Sequence, residues 1–188
     1  MQNNDVQFIS YARENVRDDK NIVSIKYNEL ETAIEKETVY NMNLSQNPLE
    51  NGWRNVKTSG SDWQYLQAGA MSIQGTAGTN DSWLISPTLP NLSNYDNITL
   101  SLTHRSINGT NGRQLYYSTS YDGGEIDPDD WTAVDLGSIS QGITTFTNEI
   151  PTEVFRNPNL RFAFRYTDIT NSTWVILSFK LVTHTTNK

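Results

Sequence analysis

The pattern of hydrophobic and polar positions divides this chain in two near residue 38. Up to about residue 38 the apolar positions recur at helix spacing: Val6, Ile9, Ala12 and Val16 form one stripe, with Asn4 or Asp5 as its cap. The stretch NIVSIKY then alternates, setting Val23, Ile25 and Tyr27 on one side as a short strand. NELETAIEKE follows as a second helix. Asn28 caps it, Glu31 stands three residues later, and Leu30, Ala33 and Ile34 make its apolar stripe. A helix this short must dock on something to persist.

From Thr38 onward the period is two. TVYNMNLS places Tyr40, Met42 and Leu44 on one face. Similar runs recur as WQYLQA, AMSIQG, SWLIS, NITLSLTHRS, RQLYYSTS, WTAVDLG, TTFTNEI, LRFAFRYT and WVILSFKLVT. Gly, Asn, Asp and Pro turns separate them, NGTNG and YDGGEIDPDD among them. Many short strands at this spacing, without helices between them, predict a mainly β, antiparallel sandwich. In LRFAFRYT, Leu160, Phe162, Phe164 and Tyr166 read as the core face, and Arg161, Ala163, Arg165 and Thr167 as the solvent face. In SWLISP, Trp83 and Ile85 share one face, Leu84 and Ser86 the other. Pro87 cannot donate to a ladder and ends the strand. The expected organisation is a docking or assembly segment (1–38), a sandwich (39–183) and a tail (184–188).

Composition narrows the function. The 188 residues hold no cysteine, so disulfides and thiolate metal sites are excluded. A net charge of −7 argues against nucleic acid as a partner. No apolar run reaches the roughly 18–20 residues that cross a bilayer, so no membrane insertion is expected. MQNNDVQFIS lacks the basic and apolar regions of a signal peptide, so the expectation is a leaderless protein or a trimmed piece.

Catalytic motifs are missing from the sequence. It contains no G-x-S-x-G elbow, H-E-x-x-H or P-loop, and its two histidines, His104 and His184, stand far apart. No catalytic residue is assigned. The acidic run around Asp122, Glu125, Asp127 and Asp129 has the oxygen density of a weak surface calcium site. It lacks EF-hand spacing, and the favoured reading is a solvated turn between strands. Trp53, Trp63 and Tyr65 lie near loops, and one of the adjacent Tyr116 and Tyr117 must point outward from a strand. Exposed rings of this kind stack on sugars, so Trp53, Trp63, Tyr65 and Tyr117 are the candidate ligand contacts. The Asn-x-Ser/Thr sequences follow from composition.

An ordered set of segments resembles a known family. Gly52-Trp53, Trp63, NDSWLISP (80–87), LYYSTSYDGG (115–124), Trp131-Thr132, LRFAFRY (160–166) and Trp174-Val175-Ile176 occur in the order found in cleaved-adhesin, or choice-of-anchor J, modules of Bacteroidetes surface proteins. The resemblance spans about residues 38–183. It implies a jelly-roll sandwich of eight to ten strands and a non-catalytic role in adhesion or in binding a surface glycan or protein, outside the cell. Family members often hold a structural calcium. At the matching positions this chain has Ser45 and Gln46, then Leu177 and Ser178, so no cofactor is required on this reading. A second reading is a phage virion protein (capsid decoration, head-fibre or tail-fibre subunit) that docks or self-associates through residues 1–38. A third is a glycoside-active enzyme.

Overall fold

The structure is a computed structural model that describes residues 34–186. The helix–strand–helix reading of the first 33 residues lies outside the described residues. The described chain forms eleven strands: β1 (Ile34–Asn41), β2 (Arg54–Ser59), β3 (Gln64–Leu66), β4 (Ala70–Gln74), β5 (Asp81–Ile85), β6 (Thr99–Ile107), β7 (Arg113–Ser118), β8 (Thr132–Val134), β9 (Gly142–Glu149), β10 (Arg161–Tyr166) and β11 (Thr173–Thr186). One helical turn, α1 (Thr152–Phe155), precedes β10. The strands make a jelly-roll β-sandwich of two antiparallel sheets. One runs β3-β4-β11-β6-β9, with β1 also on β11, and the other runs β2-β5-β10-β7-β8.

Three boundaries differ from those read in the sequence. Residues 34–37, the end of the expected second helix, belong to β1, where Lys36 pairs with His184 and Glu37 with Thr183. A local helical stripe carries too little burial to resist a long partner strand. At the other end, β11 runs through Thr186, so residues 184–186 are strand rather than tail. Asn97 clamps that end: its Nδ2 donates to the His184 carbonyl and its Oδ1 accepts from the His184 N–H, each at 2.9 Å. Strand β2 has no counterpart in the sequence reading. It is an edge strand, RNVKTS, with Val56 as its one apolar residue, so period-two hydrophobicity had nothing to mark.

The core between the sheets is aromatic. Trp63, Phe164, Trp174 and Phe179 lie at its centre, with ring centroids 5.4–6.3 Å apart in the tilted and edge-on arrangements that ring quadrupoles favour. Tyr40, Met42 and Leu44 pack on this core, as their alternation predicted. Strand β5 is buried on both faces. Leu84 enters the inter-sheet core, while Trp83 and Ile85 join a second cluster on the outer side of the five-stranded sheet. The same holds for β10. Ala163, expected at the solvent, is fully buried, because the loop after β7 folds over this face and lays Tyr121, Ile126 and Trp131 on Trp83 and Ala163. Ser86 follows β5 and bonds Phe162 through both its backbone N–H and its hydroxyl, and Pro87 comes next.

Candidate functional site

Of the four candidate aromatic contacts, the structure places two at one surface groove. Trp53 is in the core, stacked on Phe164 at 6.1 Å and edge-on to Phe179 at 6.2 Å, so it has no ring face to offer a ligand. Tyr117 points into the inter-sheet core. Its neighbour Tyr116 takes the outer face, 5.3 Å from Trp83, so the outward member of the pair is Tyr116. Trp63 is only 1% exposed and is a core residue, correcting the expectation of an exposed ring. It nevertheless reaches the floor of a groove that the half-buried Tyr65 also lines. Large apolar rings serve both roles, which is why spacing alone did not separate them.

The groove is open, about 910 Å3 in volume, and is built by two neighbouring pieces of chain. The first is the turn Pro48–Glu50. Asn47 caps it: its Oδ1 accepts from the Leu49 N–H and its Nδ2 donates to Glu50 Oε1, both at 3.1 Å. Asn51 Nδ2 closes the turn on the Asn47 carbonyl at 2.9 Å. The second piece is edge strand β3 with the turn after it, which supplies Gln64, Tyr65 and Gln67. The Tyr65 hydroxyl donates to the Leu44 carbonyl at 2.9 Å, which fixes the ring against the groove. Local hydrogen bonds thus engage Asn47, Glu50, Asn51 and Tyr65. Among the described residues none engages the side-chain amides of Gln46, Gln64 or Gln67, which line the groove exposed to solvent. Each primary amide offers donors and an acceptor together, the complement of a hydroxyl. No sequence motif marked these three; glutamines in a polar chain have no pattern.

The acidic loop makes a different structure from the one its composition suggested. Asp122 Oδ1 accepts from the Gly124 N–H, and Asp127 Oδ1 caps the turn Pro128–Asp130 by accepting from the Asp129 N–H. The loop is tied to β2 by Arg54, which donates to the Gly123 carbonyl and to the Tyr121 hydroxyl. Asp122, Glu125, Asp127 and Asp129 do not converge. Among the described residues no three His, Asp or Glu side chains are grouped to hold a metal. The family-implied calcium does not fit Ser45, Gln46, Leu177 and Ser178 either, because that set has no carboxylate.

His104 is buried on the inner side of β6. Its Nδ1 accepts from Trp174 Nε1 at 3.1 Å, so that nitrogen is occupied. Burial, and then the charge of Arg113, hold its pKa below the ordinary 6.5. The unfolded chain therefore takes up a proton that the folded chain resists. The stability contributed by neutral His104 is full above the unfolded value and declines as pH falls below it. Urea midpoints are expected to drop between pH 7.5 and pH 5, with a shallower drop in His104→Gln; identical slopes in the two proteins would refute the assignment. His184 is half-buried at the end of β11, far along the sheet from His104 in sequence and register.

No protein-family model matches the chain, and no curated protein matches it. Solved structures do. The carbohydrate recognition domain of Emp46p, in a point-mutant form, has a TM-score of 0.50 at 14% identity over 78% of this chain and 97% of that one. CBM29-2, a family 29 carbohydrate-binding module, has 0.48 at 19% identity over 82% and 93%. The K3 cleaved adhesin domain of Lys-gingipain from Porphyromonas gingivalis has 0.47 at 15% identity over 79% and 99%. At these identities the likeness is one of fold. No helix among the described residues is long and apolar enough to cross a membrane.

Proposed function

We propose that this sandwich is a non-catalytic glycan-binding module, akin to the cleaved-adhesin type, and that the groove beside Trp63 and Tyr65 is its binding site. The observation that supports this most is the set of solvent-facing amides of Gln46, Gln64 and Gln67 around one held tyrosine ring. Convergent polar groups in a cleft beside an aromatic surface are what orients a saccharide. The non-catalytic reading rests on a sequence without a recognised catalytic motif. An extracellular or cell-surface setting, as part of a larger secreted protein, belongs to the same proposal. The virion alternative rests on residues 1–38, and nothing in the described residues favours it over glycan binding.

The test is a neutral-glycan array followed by calorimetric titration of any hit. Gln67→Ala and Tyr65→Ala are expected to weaken binding by about tenfold or more, which corresponds to roughly 1.4 kcal/mol. Gln67→Ala should leave the melting temperature within about a degree or two, because the side chain is exposed and makes no contact that holds the fold. Binding unaffected by both variants would move the site elsewhere; a blank array would overturn the function.

A further inference from the structure

A second groove, about 420 Å3, opens next to the first. It is lined by Asp62, Gln64, Gln74, Thr76 and Asn171 with backbone around them, so Gln64 belongs to both grooves. Resting on the glycan-binding reading, we infer that the two grooves form one continuous track for an extended, uncharged polysaccharide chain, with Gln64 at the junction of two subsites.

Three observations carry this. First, the shared residue sits on edge strand β3, opposite Ser72 of β4. Gln74 lies two residues further along β4 and, like Ser72, faces outward, so the track continues along the sheet edge instead of ending in a pit. Second, the side-chain amides of Gln74 and Asn171 are exposed and make no hydrogen bond within the described residues, as for Gln46, Gln64 and Gln67 in the first groove. A row of such amides suits repeated hydroxyls, whereas a single compact ligand would leave most of the row unused. Third, the charges in the track are Glu50 and Asp62. Asp62 pairs with Lys57 and is bonded by Asn55, and among the described residues no cation pairs with Glu50, in a chain of net charge −7. An anionic glycan would meet like charge, so the matching chain is neutral.

The experiment titrates the full chain with neutral β-1,4-linked gluco-, manno- and xylo-oligosaccharides of two to six units, and with oligogalacturonates as the anionic arm. Affinity is expected to rise about tenfold or more from the disaccharide to the hexasaccharide, since the second subsite adds contacts at high effective concentration. Gln64→Ala should weaken every length. Gln74→Ala and Asn171→Ala should weaken the hexasaccharide and leave the disaccharide unchanged. Affinity independent of length, or equal for oligogalacturonates, would overturn the track while leaving the first groove as a short-saccharide site. Absence of binding to any probe would overturn both.

Discussion

Asp168→Ala is expected to cost about 3–5 kcal/mol of stability, the usual penalty for leaving a buried charge without its partner. Asp168 and Arg113 meet at one end of the sandwich with side chains 3% and 0% exposed. Arg113 Nη1 reaches Asp168 Oδ2 at 3.3 Å and the Asn111 carbonyl at 2.6 Å; its Nη2 donates to Ser172 Oγ and the Thr173 carbonyl. Asp168 also accepts from the hydroxyls of Ser172 and Thr170 and from the Thr170 N–H. The network ties the β6–β7 turn to the loop before β11. The turn comes so close that a Cβ on Gly112 would lie 2.2 Å from the Asp168 nitrogen, and its φ of +64° favours glycine as well. A typical domain has only about 5–15 kcal/mol in total, so the single variant removes a large share. Thermal and urea unfolding followed by circular dichroism measure it, and a loss below about 1 kcal/mol would refute the role. Removing both charges with Arg113→Met and Asp168→Leu should recover most of the loss, because the penalty lies in the orphaned ion and not in the missing attraction.

The same carboxylate has a pH signature. Burial alone would raise its pKa, but the hydrogen bonds from Ser172 and Thr170 and the charge of Arg113 outweigh that and hold it below the ordinary 3.8. Its contribution is therefore complete above the unfolded value and is lost as pH falls through the folded one. That window lies below the one set by His104, so acid unfolding should show two successive losses.

Trp63→Ala should be comparably severe, about 3–5 kcal/mol, and it separates a structural role from a binding one. The indole packs 5.5 Å from Trp174 and 6.3 Å from Phe164, and its Nε1 points at the Ser82 carbonyl at 3.5 Å. Its removal leaves a void between the sheets where the two halves of the core touch. Loss of saccharide binding in this variant is expected to come with loss of near-ultraviolet dichroism and a lower unfolding midpoint, unlike the loss in Gln67→Ala. A stable Trp63→Ala protein that fails to bind would instead make the ring a ligand contact.

The sequence by itself determined the strands that matter most. Leu160, Phe162, Phe164 and Tyr166 alternate with a clarity that allows one core face for β10, and Pro87 limits β5. Two layers follow, because so many short apolar faces can be buried only against one another. What alternation does not carry is what covers the other face. Whether Ala163 meets water or Trp131 depends on where the loop that carries Tyr121, Ile126 and Trp131, distant in sequence, comes to rest. Edge strand β2 escaped notice because backbone pairing holds it with little apolar burial. The groove, and the pairing of Arg113 with Asp168 across 55 positions, were likewise settled only by tertiary structure. Solvent-facing amides and a buried ion pair are made by convergence of segments distant in the chain, and local periodicity reports a residue's face without reporting its neighbours.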